Sequence, residues 1–338
     1  MALLEGFGFG CRPDCGLCCY AEPRIDPAER AHLLQIAPSA RIAGTGRDRF
    51  VASNPNGGAC QFLLSHRCVV HPARPHPCRE FPITVHVGQR LQATIVLSCP
   101  GVSFARLRRA GTPEPEPNGL GAELASVRQR LGAPTFARLE ATRRRGRRIE
   151  RALTEGGQWV PDEVVRAELR ADLPRPGVGD FPVEDPPEVA EGWERLPLFF
   201  DGRRAPLALA HKLGGWEVHE MAPGGAGASL GVFPPPERPP QLDAPATDLL
   251  ERYLRYVLER DGFLASVHLD ALEAGEGSVR EWAAVELAAL GAVVLARGAV
   301  RAKLHGEDAT TLSADRVDDG IRATDMDWLD RPTWGDRL

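Results

Sequence analysis

The placement of the cysteines constrains this chain more than any other feature. There are eight of them, Cys11, Cys15, Cys18, Cys19, Cys60, Cys68, Cys78 and Cys99, and none follows Cys99 in a chain of 338 residues. Cysteines used as scattered core filler would not crowd into one end. In a reducing compartment such crowding favours metal ligation over disulfide formation. Met1–Gly10 has no positively charged opening and no long apolar run, so it does not read as a signal peptide, and the expected location is cytoplasmic.

The first block reads Cys11-Arg-Pro-Asp-Cys15-Gly-Leu-Cys18-Cys19. Two thiolates three residues apart can face one ion across a tight turn, which Gly16 supplies, and backbone amides near it can donate to sulfur. Cys18 and Cys19 are adjacent, and neighbouring side chains point apart, so one small tetrahedral site seldom takes both. The second block runs Cys60-Gln-Phe-Leu, Cys68-Val-Val-His71, then Arg74-Pro-His-Pro-Cys78-Arg79-Glu-Phe81-Pro82, and Cys99-Pro100-Gly101 closes the set. Eight ligands suit two four-cysteine zinc sites, or one 4Fe–4S cluster with four spare thiols. Arg12, Arg67, Arg74 and Arg79 lie beside ligand positions, where they either offset thiolate charge or solvate the surface. Pro75 and Pro77 are expected to hold the chain extended. That would direct the guanidinium forks of Arg74 and Arg79 toward sulfur or toward an anionic group on a bound ligand. His66, His71, His76 and His86 are secondary candidates, as substitute ligands or outer donors.

These ordered blocks, C-x-x-x-C-G-x-C-C, C-x-F-L, C-x-V-H-x-x-R-P-x-x-C-R-x-F-P and C-P-G, resemble the YkgJ-type CxxCxxCC family. The resemblance covers roughly residues 5–105. It implies a zinc- or iron-chelating domain with Cys15, Cys18, Cys19, Cys60, Cys68, Cys78 and Cys99 as ligands. Cys11 departs from it, because three residues rather than two separate it from Cys15. A looser similarity, to flagellin lysine-N-methylase-like proteins, rests on Leu249–Phe263 and the Ala/Leu-rich segment after it.

The rest of the chain divides by composition. The expected class is α+β: an irregular cysteine-cluster domain with a short helix and a β-hairpin, then a mixed region with a small antiparallel meander and a C-terminal helical part. The expected limits are 1–110 for the cysteine domain, 111–120 for a linker, 121–306 for the mixed to helical domain and 307–338 for an acidic tail. Asp26 and Pro27 open a short helix. Thr84–Val87 and Leu91–Val96 flank a turn as a hairpin. Helical sequence runs from about 121 to 153 and carries the basic run Arg143–Arg148. Leu196–Met221 reads as the meander and Gly224–Pro240 as a surface loop. Asp248 with Glu251, and Ser278 with Glu281, stand in capping-box relation. Gly262 ends the first of these helices, and the second runs to about 304.

A formal net charge of −5 argues against a general nucleic-acid binder. The apolar run Trp282–Ala296 carries Glu286 and is short for a membrane span. No acid–base or nucleophile set stands out, so the leading reading is a metal-binding protein, zinc or iron–sulfur, with a structural or adaptor role and a protein partner. The alternative is an iron–sulfur enzyme that modifies a protein substrate, such as an S-adenosylmethionine-dependent lysine methylase.

Overall fold

The structure is a computed structural model. It describes residues 7–103, 141–188, 198–199 and 206–327, less 13–14, 21–22, 46–48, 54–58, 66, 88–90, 142, 149–150, 152–153, 156–159, 182, 222–226 and 276. The described residues form an α+β fold. In the cysteine region the elements are short: β1 (Gly8–Phe9), α1 (Pro27–Ile36), β2 (Ile42–Ala43), β3 (Phe50–Val51), β4 (Leu63–Leu64), β5 (Arg67–Cys68), α2 (His76–Glu80), β6 (Ile83–Val87), β7 (Leu91–Ile95) and β8 (Val102–Ser103).

Local chemistry accounts for them. The Asp26 carboxylate accepts from the amides of Ala28 and Glu29, and Pro27 takes the first helical position, where its missing N–H costs nothing. β6 and β7 pair as the expected hairpin, with Val85 opposite Ala93. β1 pairs with β8, so the two ends of the cysteine region lie side by side. Gly101 permits that approach, since a Cβ there would stand 2.3 Å from the Gly10 carbonyl oxygen.

The second half begins with α3 (Asp162–Ala171). It continues through β9 (Leu198–Phe199), β10 (Leu207–Lys212), β11 (Gly215–Glu220) and β12 (Ser229–Phe233), an antiparallel sheet in the order 12-11-10-9. The meander is therefore longer than the sequence suggests, and β12 lies inside the stretch read as a loop. Side chains alternate across β10 and β11. Leu207, Leu209, Trp216 and Val218 face the main core, while Ala208 and Ala210 face Leu17, Tyr20 and Leu63 of the cysteine region.

β13 (Gln241–Leu242), α4 (Ala244–Leu258), α5 (Asp261–Ala274), α6 (Val279–Leu304), β14 (Thr311–Leu312) and α7 (Ala314–Thr324) complete the chain. The Ser278–Glu281 box caps α6 as read. The start of α4 is earlier than read. Asp243 accepts from the Ala246 amide with Pro245 in the first turn, while Asp248 pairs instead with Arg252 at 3.0 Å. Gly262 does not end α4; the chain breaks at Arg260 and Gly262 is buried within α5. Of the helical sequence read at 121–153, residues 121–140 lie outside the described residues, and 143–148 are helical.

The segment read as an acidic tail contains β14 and α7. Its acids mislead because they serve ion pairs: Asp319 with Arg316 at 2.5 Å and Asp318 with Arg322 at 3.5 Å, while Val317 and Ile321 are fully buried. α6 has the length and apolar composition of a membrane span, yet 72% of that stretch is buried inside the protein. α6 and α7 cross closely because both carry glycine at the crossing. A Cβ on Gly298 would meet the Arg316 carbonyl oxygen at 2.6 Å, and one on Gly320 the Val294 carbonyl oxygen at 2.1 Å.

The main core joins both halves. Phe7, Ile83, Ala93, Ile95, Leu97, Cys99 and Val102 pack in one cluster with Leu250, Tyr253, Leu254, Val257, Leu295 and Ile321. Because the obstacle at Gly320 is backbone rather than a flexible side chain, Gly320→Ala must push the two helices apart. Overpacking of this kind costs about 1–3 kcal/mol. Urea unfolding followed by circular dichroism should show a lower midpoint; a wild-type midpoint would mean that α7 is free to shift.

Candidate metal centre

Five separate pieces of chain bring the cysteines together. In the first block Gly16 takes φ +66°, a left-handed conformation that favours glycine, and the Cys19 amide donates to the Gly16 carbonyl at 2.9 Å. The Cys60 amide donates to the Cys19 carbonyl at 2.6 Å, which ties the second block to the first. The tight β4–β5 hairpin sets Leu63 opposite Cys68. Arg74 and Pro75 are extended, but Pro77, Cys78 and Arg79 lie in α2, with proline in its first turn. The expected extended Pro75–Pro77 segment is thus half right, because a proline near a helix start supports the helix instead of preventing it. The β6–β7 hairpin then returns the chain to Cys99.

All eight cysteines are free thiols; Cys99 is buried, Cys11 is exposed and the other six lie between. Cys19 sits between two partners, with its thiol hydrogen-bonded to Cys18 and to Cys68. The proton belongs on Cys19. Its pKa is raised, foremost by those two bonds, whereas Cys18 and Cys68 are lowered, foremost by the bond to Cys19, and Cys68 falls to about 6. Four further thiols, Cys11, Cys15, Cys78 and Cys99, are shifted toward the protonated form. Burial, reinforced by like charge from neighbouring cysteines, raises Cys15 to about 11 and Cys78 and Cys99 to about 12; Cys11 is raised for the same reasons.

The charge interactions fall into two neighbourhoods. Cys18 acts on Cys11, Cys15 and Cys99, Cys11 also acts on Cys15, and both Cys11 and Cys15 act on Cys99, while Cys78 feels Cys18, Cys60 and Cys68. Among the described residues no three His, Cys, Asp or Glu side chains converge tightly enough to hold one ion. The thiols are gathered without forming a closed ligand set.

The donor set fits a soft cation even so. Cys15, Cys68 and Cys99 each accept from the backbone amide two residues ahead, that of Leu17 (3.4 Å), Val70 and Gly101 respectively. Such N–H donors favour thiolate over thiol, as outer donors do around bound metals. Tyr20 is 5% exposed, and its hydroxyl has no hydrogen-bond partner among the described residues, although it lies close enough to Cys19 to feel its charge. A buried donor left unmatched beside sulfur calls for an anionic acceptor, which a ligating thiolate provides. Bound there, zinc or iron would be held by the cysteine thiolates and would neutralise their mutual repulsion.

Arg74 acts on Cys11, Cys18, Cys68 and Cys78, and Arg12 on Cys15. Arg79 and His71 are exposed. His66 and the side chains of His76 and His86 lie outside the described residues. The sequence reading missed Tyr20, although it directly follows the Cys18-Cys19 pair.

In reduced, metal-free protein at pH 7, iodoacetamide should modify Cys68 before Cys15, Cys78 or Cys99, because only a thiolate attacks. With its pKa lowered to about 6, the rate at Cys68 should climb through pH 6 and level off above it. Arg74→Ala removes a favourable positive charge and should move that midpoint upward; Arg74→Lys should restore it. Peptide mapping checks the order, and Cys78 or Cys99 reacting first would contradict it.

Comparison with known proteins adds one match. Residues 10–100 match the family model CxxCxxCC, described as a zinc- or iron-chelating domain. No curated protein and no solved structure matches the chain, so the looser similarity to flagellin lysine methylases finds no support. The segment that holds all eight cysteines, from Cys11 to Cys99, is therefore similar in sequence to a family assigned to zinc or iron chelation.

Proposed function

We propose that this protein is a metal-binding protein in which the eight cysteines carry zinc or iron, iron–sulfur clusters included, and in which the bound metal is structural. One observation carries the reading. The thiols stand at the seam of three hydrophobic clusters: Cys99 in the main core, Cys15 and Cys19 against the Leu17–Tyr20–Ala208 cluster, and Cys60 and Cys68 against Ile25, Leu33, Val51 and Phe62. The last two clusters are small, and a small core gains most from a cross-link. A metal held from all three sides makes its binding energy available to folding. The free thiols suit a reducing, cytoplasmic setting, and the helical half offers a scaffold for a protein partner.

Anaerobic purification followed by an absorption spectrum and assays of zinc, iron and acid-labile sulfide tests the chelation. Metal near zero with all thiols titratable would refute it. Stripping the metal with an external chelator should then release amide protection across residues 7–103 in hydrogen exchange; unchanged protection after full metal removal would refute the structural role.

The pH dependence has a fixed sign. Cys15, Cys78 and Cys99 are raised well above neutrality, so at pH 7 ligation must expel their protons and apparent affinity must rise with pH. Below about pH 6 Cys68 also protonates, and affinity should fall more steeply. Competition with a chelator of known proton balance checks this, and a flat profile would count against thiolate ligation.

A further inference from the structure

The C-terminal end of α7 grips the chain on both sides of Cys99. The Asp325 carboxylate accepts from the Leu97 amide at 2.7 Å. The Met326 amide donates to the Ser98 hydroxyl at 2.8 Å. The Arg322 guanidinium donates to the carbonyls of Cys99 at 3.2 Å and Val102 at 3.3 Å. Four contacts from residues 322–326 thus hold residues 97, 98, 99 and 102, more than two hundred positions away in sequence. Asp325 is itself fixed, because Arg260 engages both of its oxygens at 2.8 and 2.9 Å and the Tyr253 hydroxyl donates to it at 3.0 Å. Ser98 and Asp325 have no exposed surface. The carbonyls gripped by Arg322 bracket the Cys99-Pro100-Gly101 turn, in which the Gly101 amide reaches the Cys99 sulfur.

We propose that Arg322 and Asp325 are positioning residues for Cys99, so that metal ligation at the thiols and docking of α7 strengthen each other. The inference rests on the metal-binding reading above. The physical ground is reciprocity: contacts that order the Cys99 turn for a metal are ordered in turn when the metal fixes that turn. Asp325 is the anchor, because a buried carboxylate held by arginine and tyrosine has little freedom to move. Arg322 is the adjustable member, because it is only partly buried and its two bonds end on the backbone of the turn itself.

The test uses the full chain, as isolated anaerobically, with whichever of zinc or iron plus sulfide the wild type carries. Arg322→Ala should leave far-UV circular dichroism unchanged yet lower metal affinity in chelator competition by about tenfold, the scale of an outer-contact loss. Arg322→Lys, which keeps the charge but loses the fork, should recover only part of it. In the wild type, loading the metal should slow hydrogen exchange across Ala314–Thr324. That measurement decides the matter even if a variant loses its fold. Equal affinity in wild type and Arg322→Ala, or α7 exchange indifferent to metal, would overturn the positioning role alone. A wild type that takes up no metal would overturn it together with the reading it rests on.

Discussion

A carboxylate with no exposed surface organises this fold. Asp325 receives both arms of Arg260, the Tyr253 hydroxyl and the Leu97 amide, and Arg260 in turn lies over the Tyr256 ring and donates to the Ile95 carbonyl. Burying two charges is costly, and their attraction offsets that cost only when every remaining lone pair and proton is matched. Here each Asp325 oxygen accepts two bonds, while the Arg260 Nε has no hydrogen-bond partner among the described residues. The cluster joins strand β7 and the turn to Cys99 to α4, the start of α5 and the end of α7. Losing one partner of such a pair costs about 3–5 kcal/mol, because the other charge stays buried. Gln92 adds to the same joint, accepting from the Asp261 amide and donating to the Glu259 carbonyl.

The cysteine region works against itself in the absence of a cation. Hydrophobic contacts and the β1–β8 pairing draw the thiols inward, and both burial and mutual charge then resist their ionisation. At Cys68 the bond to Cys19 relieves most of this, followed by the Val70 amide and Arg74. The outcome is a division of labour among chemically identical side chains: Cys68 and Cys18 inclined to thiolate, Cys19 holding the proton between them, and Cys15, Cys78 and Cys99 kept as thiols. A soft metal would draw its first bonds from the ready pair and then displace protons from the rest.

Short-range chemistry was legible in the sequence. Asp26-Pro27 and Ser278–Glu281 marked helix starts correctly because a cap needs only residues a few positions apart. The β6–β7 hairpin was readable from alternation around a turn. The clustering of cysteines pointed to a metal-binding region over roughly residues 5–105, and the family match falls at 10–100. What could not be read was whatever depends on a distant partner. Asp319 looked like part of a solvated tail because one of its arginines, Arg301, arrives from α6. Gly262 looked like a helix end because nothing nearby reveals that α5 must pack it inward. Arg79 looked equal to Arg74, since only the turn into α2 separates them. The residues around Cys99 that matter most, Arg322 and Asp325, carry no local signature at all.

The Gly8–Phe9 to Val102–Ser103 pairing, made possible by the bare Cα of Gly101, has a consequence for the energetics of ligation. It turns the cysteine region into a ring fastened by a strand pair rather than by a covalent bond. The entropy lost on closing a flexible loop grows only with the logarithm of its length, so the largest part of that loss is incurred once, at closure. Inside a ring already fastened, the ends of the longest remaining loop, Cys19 and Cys60, are themselves joined by the Cys60 amide on the Cys19 carbonyl. An arriving ion then needs to gather only local segments, and the search that would otherwise precede coordination is already confined.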